Sequence, residues 1–514
     1  MTQYDTVIIG AGHNALVCAN YLAQKRQKVL ILESSSEVGG LASSREFHPG
    51  FRASVAHSVS HFSKKIYRDL RLQDHGLSSE PHPLPCIGLD LHGNHVVLDG
   101  NAVTGVTEKD KESYSNYSKR MKRFADLLAP FWLKTVPALG NNSLPEKMSF
   151  AQLGLKMRML GKEDMREFLR VITLQTHDHM DEHFEHSLLK ALLCWNGLIG
   201  SKQAPRSPNN SIMLMLYRMS EGLNGLHELP PGGMTGLINA LRLSAESHGV
   251  EIRTNTSVRR ITTGQGKGGV VANGVQTDEG EQISAVNVVS SADPKTTLIT
   301  LLGAEHLEIE FTNRIRRIRS QGLVAKLHLA LDDLPSFVGL DRPEGQLLIS
   351  PDMATIENAF DDSKYGQCPT DPVIEILIPS LYDASLAPDG QHVLSAQVMY
   401  VPYKMKNGWD SSAKDAFIDR LIDKIASHAP EIRHQIVASE LLTPTDLEQT
   451  FRVAGGHWHH GEFALDQLFM MRPTYGAGQY RTPIEGLYLC GAGSHPGGDI
   501  TGGPGHNAAR EILS

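Results

Sequence analysis

The chain has 514 residues, 40 % of them apolar, and its 49 basic and 57 acidic side chains give a net charge of −8. At roughly 150 residues per domain this length predicts about three domains' worth of sequence, and the composition excludes disordered, collagen-like and coiled-coil chains. The mild negative charge, without a long run of one sign, gives no electrostatic support for nucleic-acid binding.

The N-terminal segment predicts a β-α-β unit. A buried strand at residues 6–9, a helix of small and apolar residues at 15–24 and a second strand at 29–32 follow one another. The turn after the first strand reads Gly10-Ala11-Gly12-His13-Asn14-Ala15, a G-x-G-x-x-A pattern. Between a strand and a helix, this pattern indicates a dinucleotide site.

Individual residues of this unit have distinct physical roles. Gly10 permits the tight turn, and Gly12 lets backbone N–H groups approach a pyrophosphate at the helix N-terminus. Ala15 keeps the helix close to the strand. Glu33 ends the second strand, where a carboxylate can accept hydrogen bonds from a ribose diol. An ordinary glycine-rich turn is the alternative, which the flanking strand and helix disfavour.

Two further glycine-rich segments differ in their predicted roles: the first is expected to bind the dinucleotide, and the second is not. Gly39, Gly40 and Arg45 suit an extended dinucleotide whose phosphates and flavin lie further along, although Arg45 could also be a surface cation. Residues 264–269 match G-x-G-x-x-G, but residues 270–277 after them read as a strand, so no helix N-terminus is there to bind phosphate. We therefore expect a hairpin loop at 264–269 and one dinucleotide site in the chain.

The rest of the chain alternates between two kinds of pattern. Helical periodicity dominates residues 62–226, which predicts a largely helical insertion. After Pro230-Pro231-Gly232-Gly233 the α/β pattern returns. A helix is predicted at 413–428, and strand, turn and helix over 487–513. Four strand-like runs predict a second, more antiparallel sheet: 323–331, 346–349, 373–379 and 393–401.

The cysteine pattern and the hydropathy of the chain indicate its cellular compartment. Five scattered cysteines without a C-x-x-C argue against a disulfide scaffold or a zinc ribbon, and favour a reducing compartment. No run of about 18 apolar residues occurs, and no signal segment precedes the first strand. We expect a cytoplasmic protein. The helical segment 150–160 carries Lys156 and Arg158 among apolar residues, which leaves peripheral contact with a membrane open.

Four histidines that lie close together in the sequence are candidates for metal ligands. His177, His179, His183 and His186 fall within ten residues. They form no H-E-x-x-H motif, and the acidic residues between them are typical of a solvated polar face. The sequence therefore predicts no metal site.

Three segments together resemble the flavin-dependent phytoene desaturase superfamily. They are residues 10–45, the stretch from Pro231-Gly232-Gly233-Met234 to Val258, and a C-terminal block. That block contains Gly455-Gly456-His457-Trp458-His459-His460-Gly461-Glu462 and Gly491-Ala492-Gly493-Ser494-His495-Pro496-Gly497-Gly498. The chain is most similar to the branch of carotenoid-ketolase-like and pyridine-nucleotide-disulfide-oxidoreductase-domain-2 proteins. The resemblance spans nearly the whole chain and is loosest over 75–225 and 295–445.

The resemblance implies an α/β fold with two domains. A discontinuous, Rossmann-like FAD-binding domain would comprise residues 1–70, 227–295 and 446–514. An inserted α+β substrate domain, with a largely antiparallel sheet and a helical part, would comprise 71–226 and 296–445.

The resemblance also implies FAD as the cofactor. Glu33 would hold the adenosine ribose, Val258 would contact the adenine through its backbone, and the helix after Thr501 would point its N-terminus at the flavin. The expected cofactor-binding residues are Gly10, Gly12, Ala15, Glu33, Gly39, Gly40, Arg45, Val258, Gly491, Gly493, Ile500 and Thr501. Ala492 departs from the pattern, because many related flavoproteins have an acidic residue there.

Two histidines are candidates for catalysis. His460 lies in the C-terminal block, and His495 lies in the turn beside the expected flavin, where an imidazole could position substrate. His495 could equally shape the turn, and a flavin that accepts the hydride itself need not have a side-chain base. Met213, Met215 and Leu216 are expected in a packed core, with a substrate cavity lining as the alternative.

The sequence thus predicts an FAD-dependent oxidoreductase that takes a hydride from a hydrophobic, isoprenoid-like small molecule. Oxygen or a quinone would reoxidise the flavin, because no nicotinamide site is found, and the oligomeric state is left open. One alternative is an amine-oxidase-like flavoenzyme, which needs an aromatic sandwich that only Tyr475 and Tyr480 could supply. Another is a non-catalytic lipid or prenyl carrier of the same fold, which would have no need of an intact Gly10, Gly12 and Glu33.

Overall fold

The structure, a computed structural model, describes residues 3–60, 62–77, 81–137, 144–208, 211–220 and 226–514. Its strands are β1 Tyr4–Ile9, β2 Val29–Leu32, β3 Arg45–His48, β4 Phe51–Ala53, β5 His82–Leu84, β6 Cys86–Gly88, β7 Val96–Asp99, β8 Ala102–Thr104, β9 His227–Leu229, β10 Glu251–Arg253, β11 Val258–Gly266, β12 Gly269–Thr277, β13 Gln282–Ser290, β14 Val324–Leu331, β15 Gln346–Ile349, β16 Val373–Leu377, β17 His392–Met399, β18 Ile436–Leu442 and β19 Leu487–Leu489.

The α-helices lie between these strands and at the C-terminus. They are α1 His13–Gln24, α2 Lys64–Asp69, α3 Glu108–Ala125, α4 Leu144–Met159, α5 Lys162–Val171, α6 Thr176–His183, α7 Ser187–Trp195, α8 Ser211–Met219, α9 Gly233–Ser247, α10 Ile309–Arg317, α11 Met353–Lys364, α12 Ser411–Ala426, α13 Ile432–Gln435, α14 Pro444–Phe451 and α15 Gly503–Ile512.

The first sheet brings together strands from three distant segments. Five of its strands are parallel, in the order β10-β2-β1-β13-β19. The N-terminal part of β13 pairs antiparallel with β12, and β12 pairs with β11. This arrangement confirms the predicted α/β, Rossmann-like fold. The antiparallel pairing of Gly266 with Gly269 also confirms the hairpin predicted at 264–269.

Three helices pack on this sheet and on each other. Buried Asn20 of α1 donates to the carbonyls of Leu16 at 2.9 Å and Leu241 at 3.0 Å, and accepts from Ser244 of α9 at 2.8 Å. Gly505 of α15 lies so close to α1 that a Cβ there would come within 2.1 Å of the Asn14 carbonyl oxygen. The C-terminal helix is thereby held directly behind the Gly10–Gly12 turn.

The second sheet has eight strands, in the order β18-β14-β17-β16-β15-β6-β7-β8. All its pairs are antiparallel except β15 with β6, as the sequence predicts for a largely antiparallel sheet. Strands β6 to β8 lie within residues 62–226, where helical periodicity predicts a mainly helical segment. These strands are three or four residues long, too short to show an alternating pattern.

The two sheets draw on alternating stretches of the chain. The first takes its strands from residues 4–32, 251–290 and 487–489, and the second from 86–104 and 324–442. The domain limits remain a prediction. Among the described residues, no helix combines the length and apolar character needed to cross a bilayer.

Candidate functional site

A cavity of about 430 Å³ lies at the carboxyl ends of the parallel strands. Ile9, Leu32, Ser291 and Ala492, which end or follow β1, β2, β13 and β19, border it. Ligands of open parallel sheets bind in this position. Nine of the residues predicted from the sequence border the cavity: Gly10, Gly12, Glu33, Gly39, Gly40, Arg45, Val258, His460 and Ile500.

The Gly10–Gly12 turn is braced by the acidic residue directly after β2. The backbone N–H of Ala11 donates to Glu33 Oε2 at 2.7 Å, and that of Ser35 donates to Glu33 Oε1 at 2.9 Å. Gly10 has φ 86°, a conformation that favours glycine. The Ser34 hydroxyl also donates to Glu33 Oε1 at 3.2 Å. Because a carboxylate offers about four acceptor positions, Glu33 retains capacity for about one further hydrogen bond from a ligand hydroxyl.

The second glycine pair lies directly against this turn. The N–H of Gly39 donates to the Ala11 carbonyl at 2.8 Å, and a Cβ on Gly40 would lie 3.5 Å from the Gly12 Cα. Arg45 borders the cavity and forms an ion pair with Glu440 of β18. The wall of the cavity therefore joins the first sheet to the second.

Buried polar atoms around the cavity have no hydrogen-bond partner. Leaving one such atom unpaired costs about 1–3 kcal/mol, so their convergence on one cavity indicates a ligand with polar groups along its length. Within the described residues, six of them belong to side chains that border the cavity: His13 Nε2, Asn14 Oδ1, Ser60 Oγ, His227 Nε2, His459 Nε2 and His460 Nδ1. This arrangement fits FAD, in which a ribose, a pyrophosphate and a flavin follow one another.

Other predicted residues lie behind the cavity wall. Ala15 is fully buried in the core, and Thr501 Oγ1 accepts from the N–H of Gly503 at 3.1 Å. A Cβ on Gly491 would meet the Ser291 carbonyl oxygen at 2.3 Å, and one on Gly493 would meet Pro294 at 2.6 Å. These positions permit close packing of the wall, and their direct contact with a cofactor remains a prediction.

The two candidate catalytic histidines are placed differently. His460 borders the cavity, and burial lowers its pKa, so the imidazole is neutral. His495 does not border the cavity. Its Nε2 donates to the Phe131 carbonyl at 2.8 Å, and burial lowers its pKa to about 4. The structure thus brings His460, and not His495, to the cavity, and a catalytic role for either remains a prediction.

Neither tyrosine required for an aromatic sandwich borders the cavity. Tyr480 is fully buried and donates to the His495 carbonyl at 2.8 Å, while Tyr475 is 52 % exposed and lies beside Arg314. Met213, Met215 and Leu216 also lie outside the cavity wall, in or against the core between the helices and the second sheet.

A buried ionisable network, missed in the sequence analysis, lies where the second sheet meets the cavity. His57 and Gln397 border the cavity, and both hydrogen-bond to Glu375 Oε1, His57 through Nε2 at 3.2 Å. Lys326 Nζ donates to His57 Nδ1 at 2.7 Å. Trp195 Nε1 donates to the second oxygen of Glu375. All five side chains are buried.

Burial and neighbouring charges determine the ionisation of this network. Burial, opposed by the charge of Glu375, lowers the pKa of Lys326 to about 7. Burial and the nearby lysine lower the pKa of His57 to about 4. Burial alone would raise the pKa of Glu375, but the hydrogen bond and charge of His57 lower it to about 2. A carboxylate, a neutral imidazole and a partly protonated amine therefore coexist beside the cavity at neutral pH.

A second charged pair, also missed from the sequence, closes the C-terminal side of the cavity. Arg218 Nε donates to Asp499 Oδ2 at 3.0 Å, and Arg218 also donates to the Ile199 carbonyl at 2.8 Å. Both side chains border the cavity. Burial disfavours ionisation of Asp499, but the Arg218 charge outweighs it and holds the pKa of this carboxyl well below its usual range. Arg218 and Asp499 are 281 residues apart, so no local pattern indicates the pair.

The sequence profile of the family described as "Flavin containing amine oxidoreductase" matches residues 16–513. Pyridine nucleotide-disulfide oxidoreductase domain-containing protein 2 of Mus musculus is 33 % identical over 548 residues, which cover 99 % of this chain and 93 % of that protein. A limonene dehydrogenase chain of Castellaniella defragrans is 27 % identical, covering 99 % and 94 % of the two chains. The 4,4'-diapolycopen-4-al dehydrogenase of Metabacillus indicus is 22 % identical, covering 96 % and 93 %.

Solved structures share the fold at low sequence identity. An oxidoreductase from Methanosarcina mazei superposes with a TM-score of 0.58 at 16 % identity, with 99 % of each chain covered. A redesigned putrescine oxidase superposes with a TM-score of 0.59 at 14 % identity, covering 100 % of this chain and 99 % of the other.

Proposed function

Since the chain belongs to the flavin-containing amine oxidoreductase family and is an FAD-dependent oxidoreductase, we propose that it takes a hydride from a hydrophobic, isoprenoid-like substrate. The observation that carries the proposal is the cavity. It begins at the glycine turn braced by Glu33 and ends at the His57 network on the second sheet. One end thus suits the nucleotide part of FAD, and the ionisable network at the other end supports a role in substrate chemistry.

Different residues around the cavity would bind the cofactor and supply acid-base groups. When bound, FAD supplies the acceptor for the hydride. Glu33 would bind the ribose hydroxyls, and the N-terminus of α1 would bind the pyrophosphate. Behind the cavity wall, Lys326 has a pKa of about 7 and is partly unprotonated at neutral pH, so its hydrogen bond to His57 makes this pair an acid-base group beside the cavity. The negative charge of Glu375 stabilises the protonated form of the pair formed by His57 and Lys326.

The names of two relatives support the isoprenoid class of substrate. Limonene is a terpene and diapolycopenal is a carotenoid aldehyde, and the dehydrogenases named for them align with nearly all of this chain. The two tyrosines named for the amine-oxidase alternative, Tyr475 and Tyr480, lie away from the cavity. The carrier alternative does not explain the braced Gly10–Gly12 turn.

Anaerobic flavin reduction tests this proposal. The FAD-loaded protein is incubated with acyclic isoprenoid alcohols and hydrocarbons, such as geranylgeraniol, and in parallel with putrescine, while flavin absorbance is recorded. Bleaching by an isoprenoid and not by the diamine is the expected result. Bleaching by putrescine alone would instead establish an amine oxidase.

We further propose that α4 contacts a membrane surface, from which an apolar substrate could be drawn. At about 100° per residue, Met148, Leu155 and Met159 fall on one face, and they are 65, 59 and 75 % exposed. Basic residues flank this face on both sides, Lys156 on one and Lys147 with Arg158 on the other. An apolar stripe between cations is typical of a helix that lies in a lipid headgroup layer with anionic lipids.

The opposite face of α4, and not the exposed apolar stripe, packs against the protein core. Met157 and Leu160 at the end of this helix pack against the hydrophobic core of the helical region. The helix is therefore anchored on one side, while a second apolar face is left toward the outside. Burying that face in lipid would remove it from water at roughly 25 cal/mol per Å².

A further inference from the structure

The short helix α6 holds a cluster of potential metal ligands that lies apart from the cavity. His179, Glu182 and His183 each offer one ligand atom, and the three atoms lie within 4.8 Å of one another. The spacing is H-x-x-E-H, with the two histidines one turn apart on the same face of the helix. This spacing differs from H-E-x-x-H, so a search for that motif does not detect the cluster.

The buried environment of His179 favours binding of a ligand to its imidazole ring. It is 1 % exposed, and both of its ring nitrogens are without a hydrogen-bond partner among the described residues. The Tyr117 ring of α3 lies 5.6 Å from the His179 ring and 5.4 Å from the His183 ring, and the Tyr117 hydroxyl also lacks a hydrogen-bond partner within the described part of the chain. A buried imidazole with both nitrogens unpaired is costly unless a ligand satisfies one of them.

The chemistry of the cluster suits a cation with a preference for nitrogen ligands. His179 and His183 each offer an imidazole nitrogen, and a carboxylate oxygen of Glu182 lies beside them. Two imidazoles with one carboxylate are a ligand set that Zn²⁺ takes, with a water in the fourth position. Glu182 is 43 % exposed, so water and the ion can reach the cluster.

The charges around the cluster can accommodate an ion. Arg170 of α5 binds both Glu182 and Glu167, each through two hydrogen bonds. Arg120 of α3 also faces His183. If Glu182 turns one oxygen toward an ion, Arg170 keeps its contacts with Glu167. The two arginines and two glutamates balance, so a bound Zn²⁺ adds its own double positive charge, which solvent on the exposed side of Glu182 screens.

We propose that His179, His183 and Glu182, all on α6, form a Zn²⁺ site. The ligand atoms of a tetrahedral zinc lie about 3.4 Å apart. The widest separation in the cluster, 4.8 Å, therefore needs to close by about 1.4 Å, a shift that side-chain rotation can supply. The site is independent of FAD and of the proposed oxidoreductase function.

Zinc titration of the tag-free, FAD-loaded protein tests the site. The protein is first treated with a chelator, and uptake is then followed by competition with a chromogenic zinc indicator. We expect one zinc per chain and a higher melting temperature with zinc. His183→Gln alters the less buried ligand, so the fold is preserved, and it should weaken zinc binding by about 10- to 100-fold or more. Glu182→Gln should also weaken binding.

His177→Gln is the matched control on the same helix. The His177 ring already contacts Asp178 at 3.3 Å and Arg206 at 3.2 Å, so this variant should bind zinc as the unaltered chain does. The proposal is wrong if the unaltered chain takes up no zinc, or if His183→Gln binds it with the same stoichiometry and affinity. Flavin absorbance, recorded in the same samples, shows separately whether FAD binding is intact.

Discussion

The backbone N–H of Ala11 donates a 2.7 Å hydrogen bond to Glu33 Oε2. The residue directly after β2 therefore both holds the Gly10–Gly12 turn in position and borders the cavity in which a ribose would lie. Glu33 is 8 % exposed, so this carboxylate is shielded from water and its hydrogen bonds are not weakened by competition with solvent.

Replacement of Glu33 tests its role in FAD binding. Glu33→Ala removes the acceptor for the ribose hydroxyls and the brace of the turn, at roughly 1.5–3 kcal/mol, or about tenfold to a hundredfold in FAD affinity. Glu33→Gln keeps one acceptor oxygen and should lose less. Glu251→Ala, on the neighbouring strand β10 and away from the cavity, should bind FAD normally. Equal FAD retention in Glu33→Ala and the unaltered protein would contradict this role.

The ionisation of Lys326 predicts a pH dependence of stability. Its pKa in the folded protein is about 7, below the usual value for lysine of about 10.4. Between these values the unfolded chain binds more protons, so the free energy of unfolding should rise with pH, by at most about 1.4 kcal/mol per pH unit.

Lys326→Met isolates this contribution, because an apolar side chain of similar length fills the same space without a charge. The variant should show a flatter stability profile between about pH 7 and 10 in denaturant titrations. Parallel profiles of the two proteins over this range would mean that Lys326 is not the buried, perturbed amine described above.

Packing at Met215 distinguishes core from cavity. Met215 on α8 is 4 % exposed, and a Cβ built on Gly197 would lie 2.8 Å from its Cγ. Met215→Trp should overfill this interior and destabilise the fold by about 1–3 kcal/mol, with FAD still bound to the folded fraction. Met213→Trp, at a less buried position, should cost less. An unchanged melting temperature with loss of turnover would show that Met215 lines a substrate cavity.

Vesicle binding tests the membrane contact of α4. The protein should co-sediment with vesicles that contain phosphatidylglycerol, and less with phosphatidylcholine alone, because the cations beside the apolar stripe attract anionic lipid. Leu155→Glu with Met159→Glu should abolish this binding. Ile309→Glu, at an equally exposed apolar position on α10, should leave it unchanged. Binding that persists in the double variant would exclude α4 as the contact.

Local patterns in the sequence were sufficient to predict the parts of the fold that depend on neighbouring residues. The strands at β1 and β2 and the turn between them are apolar and glycine-rich runs with a direct physical meaning, and the structure has them within a few residues of the predicted limits. Strands β6 to β8 were missed, because runs of three or four residues form strands only through their partners in the sheet.

The site was predictable only in its nucleotide half. The Gly10–Gly12 turn and Glu33 lie close together in the sequence. His57, Lys326 and Glu375 come from three distant segments that meet only when the second sheet has formed. His179 differs again: the sequence places it in a polar run, but packing of α6 against α3 buries it. Burial of a polar residue by tertiary packing leaves no local signal.

The flavin content of the purified protein tests the central claim most directly. The account predicts a yellow protein with one FAD per chain and no binding of nicotinamide nucleotides, since one braced dinucleotide turn is present and residues 264–269 form a hairpin. FAD would be quantified by absorbance after denaturation, and nicotinamide binding by calorimetry. A colourless protein that fails to take up added FAD would contradict the account.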